Sequence, residues 1–182
     1  MHKDSHYVEK ALNGDLDAFD ALVHKYKDRT YRMVMRMIPH PEDAKDITQE
    51  VFILVYRHLH QFHLDKRFSS WLYQITVNRC LDELRKRKGK QTVTINEDWI
   101  NDDATPESQL IEREGLQAAV DHHLSLLPPQ HRAVFLLRYV DDLSYGEISE
   151  VLGITTTQVR NILYRARQKL KERRALKEGI QG

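Results

Sequence analysis

Arg160, Asn161, Tyr164, Arg165 and Arg167 fall on one side of a stretch with helical periodicity. Their chemistry suits reading DNA. An arginine offers a two-pronged donor to guanine O6 and N7, and an asparagine can read adenine in the major groove. Thr156 and Thr157 stand at the start of the same stretch, where hydroxyls and unpaired backbone amides can hold phosphates. The opposite side, Val159, Ile162, Leu163, Ala166 and Leu170, is apolar and predicts burial. Thr155 and Gln158 form a T-x-x-Q capping signal for this helix. Ahead of it, Ser144 and Glu147 form an S-x-x-E capping box, and Ile148, Val151 and Leu152 give a short helix one apolar face. Gly153 follows where a left-handed residue lets the chain turn sharply. Together these elements read as a helix-turn-helix shaped to enter a major groove. An ordinary amphipathic hairpin with a solvated basic face is the alternative. The coincidence of caps, turn glycine and basic face favours the first reading.

Enzyme chemistry finds little support. The ten histidines are scattered, His122 and His123 point apart on a helix, and no H-E-x-x-H or His/Cys cluster occurs. The expectation is no metal and no cofactor. The single Cys80 lies in a helical pattern and reads as a small core residue. No stretch nears the roughly 18 apolar residues of a membrane span, and the N-terminus lacks a signal-peptide run, so a cytoplasmic protein is expected. The net charge of +1 hides segregation. Residues 1–90 carry 17 Lys/Arg against 13 Asp/Glu, residues 91–130 carry 1 against 8, and residues 131–182 carry 10 against 6. Two basic regions flanking an acidic middle suggest two nucleic-acid contacts separated by a segment that avoids DNA.

The elements that must position these residues are helical almost throughout. A short helix near Tyr7–Leu12 ends at Asn13-Gly14. A second spans about Asp15 to Ile38 with Phe19, Leu22, Val23, Tyr26, Val34 and Ile38 inward. Pro39 and Pro41 break it, and Pro41 opens a third helix to about His60 that buries Ala44, Ile47, Val51, Leu54 and Val55. A polar loop, Gln61 to Arg67, leads to a fourth from about Ser69 to Lys88, stopped at Gly89. Residues 91–105 are acidic and aperiodic, a linker in which only Thr92–Ile95 hints at a strand. Thr105-Pro106-Glu107 starts a helix to about Leu127 that ends at Pro128-Pro129, and another, rich in Ala133, Val134, Leu136 and Leu137, reaches Val140 before the helix-turn-helix. The fold class expected is all-α: two small helical domains, residues 1–90 and 106–182, joined by a flexible acidic linker. On the third helix, Asp46, Gln49, Glu50 and Ile53 share a face opposite the apolar stripe.

Three blocks make the sequence resemble bacterial RNA polymerase sigma factors of the extracytoplasmic-function group (group IV), the sigma-W-type members among them. The first is Glu42-Asp43-Ala44-Lys45-Asp46-Ile47-Thr48-Gln49-Glu50-Val51-Phe52. The second is Phe68-Ser69-Ser70-Trp71-Leu72-Tyr73-Gln74-Ile75, with Asn78, Asp82 and Leu84-Arg85-Lys86. The third is Leu126-Leu127-Pro128 with Arg132, then the helix-turn-helix ending Tyr164-Arg165-Ala166-Arg167. The resemblance spans about residues 10 to 173, and no third domain fits between the halves. It implies a subunit that binds core RNA polymerase through the β′ clamp helices and the β flap. It also implies promoter DNA as partner and an anti-sigma factor, in many members membrane-anchored.

By the same resemblance, Asp43, Asp46, Gln49, Glu50 and Ile53 bind core polymerase, the carboxylates meeting basic groups. The −10 element is recognised and melted by Phe62, Asp65, Lys66, Arg67, Phe68, Trp71, Asn78, Arg79, Arg85 and Lys86. Aromatic faces, cations and amide edges can replace the stacking and pairing that bases lose. Trp71 divides between core and DNA, and Asp82 can orient Asn78 or pair with Arg85 or Lys86. The −35 element is read by Thr156, Thr157, Arg160, Asn161, Tyr164 and Arg165. Asn161 stands where a serine is frequent in the family, which bears on sequence preference. Arg167, Lys169, Lys171, Arg173 and Arg174 supply general electrostatics or simple solubility. The linker is either a solvated tether or a segment threading polymerase channels, with Trp99 as packing anchor. The competing function is an autonomous helix-turn-helix regulator with a helical sensing or dimerising domain.

Overall fold

A computed structural model describes residues 4–89, Leu124 and 127–179, with side chains to 169 and for Lys171. The described residues form seven α-helices and no strand. The chain divides into two compact units, residues 1–90 and 91–182. The acidic linker, Thr92–Ile95, Trp99 and the helix expected from Pro106 lie outside the described residues, apart from Leu124 and Leu127 near its expected carboxyl end.

In the first unit α1 (Ser5–Leu12), α2 (Leu16–Met37), α3 (Pro41–His58) and α4 (Phe68–Lys88) pack on one another. Gly14, at φ 90°, turns the chain between α1 and α2. The Asp15 side chain then accepts from the Ala18 amide at 3.1 Å, capping α2. Pro41 opens α3 with Glu42 and Asp43 in its first turn, where carboxylates suit the positive helix end. α3 ends two residues early, because Leu59–Gln61 tightens into a 3-10 turn. Val8, Leu22, Met33, Val34, Ala44, Ile47, Val51, Val55, Leu72, Tyr73 and Val77 form the core. Phe19, Val23 and Leu54, expected inside, are half-buried. Cys80 is fully buried, which pushes its thiol up to about 12 and leaves it inert as a nucleophile. α1 is tied down by Asp4, which pairs with Lys25 and accepts from the Tyr26 hydroxyl at 2.7 Å. Burial, and then that carboxylate, hold the Tyr26 phenol above its ordinary range.

The second unit contains α5 (Pro129–Tyr139), α6 (Tyr145–Leu152) and α7 (Thr156–Gly179). Ala133, Val134, Leu136, Leu137, Leu143, Ile148, Val151, Val159, Leu163 and Ala166 are buried between them. Ile162 is half-buried rather than inside. Arg132 is buried too. Its guanidinium donates to the carbonyls of Leu124 at 2.8 Å and Leu127 at 3.2 Å. It thereby adds a donor to the Leu124 carbonyl, which also accepts from the Leu127 amide at 3.1 Å, and supplies one to Leu127 just before Pro128. Burial holds this guanidinium below its ordinary range.

Candidate nucleic-acid interface

The helix-turn-helix is built as its sequence requires. The Ser144 amide donates to Glu147 Oε2 at 2.8 Å, and the Glu147 amide donates to Ser144 Oγ at 3.2 Å. Gly153 takes φ 65°, ψ 33°, so the turn needs the left-handed region that glycine enters without strain. The Thr155 amide donates to Gln158 Oε1 at 2.8 Å and the Gln158 amide to Thr155 Oγ1 at 3.1 Å. Two reciprocal capping boxes thus fix both helix starts, and α7 leaves the turn at a defined angle. Thr156, Thr157 and Arg160 are exposed on its first turns. Asn161, Tyr164 and Arg165 follow along α7 and are half-buried. His131 on α5 is held below its ordinary range, by burial first and then by the positive charges of Lys169 and Arg165. Arg165 therefore lies close to α5 as well as on the candidate reading face. Arg167 sits over the Tyr139 ring at 5.9 Å.

In the first unit the structure divides the candidate −10 residues into three groups. Phe62 and Phe68 are interior, 7% and 2% exposed. Their rings stand 5.8 Å apart, and Trp71 lies 5.3 Å from Phe62 and 6.0 Å from Phe68. Tyr26 closes the cluster 5.5 Å from Phe68. Neither phenylalanine offers a free face to a base; they anchor the loop between α3 and α4 to the core. Trp71 is half-buried at the rim of this cluster. The second group is outside: Asp65, Lys66 and Arg67 on the loop, and Asn78, Arg85 and Lys86 on α4, are all exposed. Asp82 pairs with Arg85 at 2.6 Å. The third group is Arg79 alone, taken up within the protein. Its Nε meets Glu50 Oε2 at 2.5 Å and its Nη1 meets Glu83 Oε2 at 3.1 Å.

Arg79 belongs to a charge ladder that sequence reasoning missed. Arg87 bonds Glu83 Oε1 at 3.0 Å and Asp43 Oδ2 at 2.8 Å. The sequence Asp43, Arg87, Glu83, Arg79, Glu50 therefore alternates in sign and ties α3 to α4. Burial would depress the Arg79 guanidinium, but Glu50 and Glu83 outweigh it and raise it. The hydrogen bond from Arg87 first, and then that from Arg79 with both positive charges, hold the Glu83 carboxyl below the usual range against its partial burial. The four-residue spacings from Glu83 to Arg79 and Arg87 were visible in the sequence; the partners on α3 were not.

On α3 the structure exposes Asp46, Gln49, Glu50 and Ile53 together, with Asp43 half-buried beside Arg87. Ile53, 52% exposed, borders a shallow apolar groove lined by Phe19, Phe52, Tyr56 and Arg57. The Phe19 and Tyr56 rings meet edge-on at 4.9 Å. This face is thus polar at one end and apolar at the other. Among the described residues no group of His, Cys, Asp or Glu could hold a metal ion, and no helix is long and apolar enough to cross a membrane.

Comparison with known proteins places both units. Residues 22–90 match sigma-70 region 2 and residues 117–170 match sigma-70 region 4. The extracytoplasmic-function (ECF) sigma factor SigW of Bacillus subtilis is 33% identical over 91% of this chain and 93% of its own length. The ECF sigma-E factor of Escherichia coli is 32% identical over 88% of each chain. In fold, the chain is similar to CnrH, solved in complex with the cytosolic domain of CnrY. That likeness has a TM-score of 0.71 and 24% identity, and covers 97% of each chain. It is also similar to RpoE of Bartonella quintana, solved with the anti-sigma factor NepR, at a TM-score of 0.67 and 17% identity over 85% of this chain and 94% of that one. The autonomous-regulator reading is not favoured by these relatives.

Proposed function

This chain belongs to the ECF sigma factors, and we propose how its surfaces divide the work of promoter-directed initiation. It is a transcription initiation factor that directs RNA polymerase to promoters, not an enzyme. The α3 face of Asp46, Gln49, Glu50 and Ile53, with Asp43 at its edge, docks on the β′ clamp helices, and the second unit meets the β flap. Carboxylates there bond basic side chains, while Ile53 adds apolar contact. Asp65, Lys66 and Arg67 on the loop, with Trp71, Asn78, Arg85 and Lys86 on α4, engage the −10 element as it opens. Phe62 and Phe68 serve by holding that loop against the core. On α7, Thr156 and Thr157 hold phosphates, and Arg160, Asn161, Tyr164 and Arg165 read the −35 element. The partners are core polymerase, promoter DNA and, as for RpoE solved with NepR, an anti-sigma factor. The site of action is the cytoplasm.

The observation that carries this reading is the doubly capped helix-turn-helix, with Thr156, Thr157 and Arg160 exposed at the start of α7. Two variants test the division of labour in run-off transcription with purified core polymerase and a promoter library. Arg160→Ala is expected to cost about 1–3 kcal/mol of discrimination at one −35 base. Lys66→Ala with Arg67→Ala is expected to leave duplex binding largely intact and slow melting, read by permanganate reactivity of unpaired thymines. The reading fails if the loop variant loses duplex binding as severely as the helix variant. It also fails if the wild-type chain binds promoter duplex tightly alone and does nothing to core polymerase.

A further inference from the structure

Glu50 is shared between two surfaces. It lies on the exposed α3 face with Asp46, Gln49 and Ile53, and it also holds Arg79 of α4 at 2.5 Å. Arg79 is one residue from exposed Asn78, at the border of the α4 face that carries Asn78, Arg85 and Lys86. Its side chain is only 16% exposed, against 49% for Glu50, so the carboxylate is open to a new partner while the guanidinium is covered. The rest of the ladder does not depend on this bond. Asp43, Arg87 and Glu83 keep α3 and α4 joined, and Glu83 keeps a second hold on Arg79 through Nη1.

We propose that the Glu50–Arg79 pair is a handover contact: in the free protein Glu50 withholds Arg79 from nucleic acid, and engagement of Glu50 by a basic partner releases the Arg79 Nε to a DNA phosphate. The proposal rests on the assignment of the α3 face to polymerase and the α4 face to DNA. The physical reason is competition for a single carboxylate. Only the Glu50 side of the pair faces water, and Glu83 still holds Arg79 Nη1, so a second cation at Glu50 can displace the first without leaving the guanidinium unpaired. The freed guanidinium then stands beside a surface expected to follow a phosphate backbone, where each neutralised phosphate strengthens binding through counterion release. The device would make DNA affinity in the first unit conditional on polymerase, so that the free factor does not occupy single strands.

The test measures binding of the full chain, without polymerase, to a fluorescein-labelled single-stranded oligothymidylate over a range of sodium chloride. Glu50→Gln is expected to bind more tightly than wild type, and its log–log salt slope should steepen by about 0.7 for one new single-strand phosphate contact. That slope change amounts to about a 2.6-fold gain for each fourfold drop in salt. Asp46→Asn removes the same charge from the same face without touching Arg79, and is expected to leave the slope unchanged. Glu50→Gln combined with Arg79→Gln is expected to lose the gain. Equal slopes for Glu50→Gln and Asp46→Asn would overturn the handover, as would a gain that persists without Arg79. Circular dichroism on each variant excludes unfolding as the source of any loss, and a Glu50→Gln chain that only loses helicity and binds no better also overturns the proposal. Affinity of Asp46→Asn for core polymerase is measured in parallel. Unchanged core affinity would sink the assignment of the α3 face while leaving the Arg79 comparison decided on its own.

Discussion

The helix-turn-helix is closed by hydrogen bonds between residues three apart in sequence, whereas α3 and α4 are tied by ion pairs between residues 29 and 44 apart. The first kind joins backbone amides to side chains within one turn, and a left-handed glycine sets the angle between two helices. The second kind joins side chains that are partly in water and could take other partners. The helix after the turn, proposed to read DNA, is therefore held by bonds that a ligand on its exposed face need not disturb. The helices α3 and α4 share bonds that a partner can rearrange. Local, reciprocal caps preserve one geometry, whereas partly exposed charge pairs can be exchanged.

The comparison breaks most readily at Arg132. Its buried guanidinium satisfies two carbonyls, so Arg132→Met is expected to destabilise the second unit by about 3 kcal/mol, read by urea unfolding. Loss of −35 binding should track that unfolding, with base preference unchanged in the fraction still folded. A Met variant as stable as wild type would show that the carbonyls find other donors, and the second unit would no longer rest on buried satisfied bonds.

A smaller effect is expected at the turn. A Cβ on Gly153 meets nothing within 4 Å, so Gly153→Ala costs only the left-handed backbone, about 1–2 kcal/mol. The sharper readout is −35 affinity at a temperature where the variant stays folded. A loss larger than the thermal destabilisation explains would mean that the angle of α7 itself is set by this residue.

The smallest effect belongs to the ladder. Glu83→Gln is expected to cost less than about 1 kcal/mol, because the pairs are partly exposed, and 1 M salt should erase most of the difference. The pH dependence has a definite sign. The Glu83 carboxyl is held below its ordinary value of 4.5, so its contribution is fully present above that value and is lost as the pH falls through the folded one. Wild type and Glu83→Gln should therefore differ in thermal stability at neutral pH and converge in acid. A gap that stays constant on acidification would show that Glu83 acts by packing instead of charge, and the contrast between the two units would lose its electrostatic half.

Legibility in the sequence followed the range of the interactions. The capping residues, the turn glycine, Pro41 at the start of α3 and the apolar stripes of α3 and α7 are all local signals, and each led to its element. The interior position of Phe68 also had a signal, since Phe68, Leu72, Thr76 and Cys80 recur every four residues and all are buried. Phe62 had none. It sits in an aperiodic loop, and only the ring cluster of Tyr26, Phe68 and Trp71 brought together from two helices decides that it faces inward. Arg132 was legible as part of a motif but not as a donor to the carbonyls before Pro128.

Local signals were enough for the described helices, the doubly capped helix-turn-helix and the chemistry available on each face, because backbone preferences, caps and periodicity act over a few residues. Only the packing of distant helices made Phe62 an anchor, gave Arg79 to Glu50 and Glu83, and let Asp43 and Arg87 bridge α3 to α4. A charged or aromatic side chain can take any partner its helix packing brings within reach, and that choice is made only when distant helices meet.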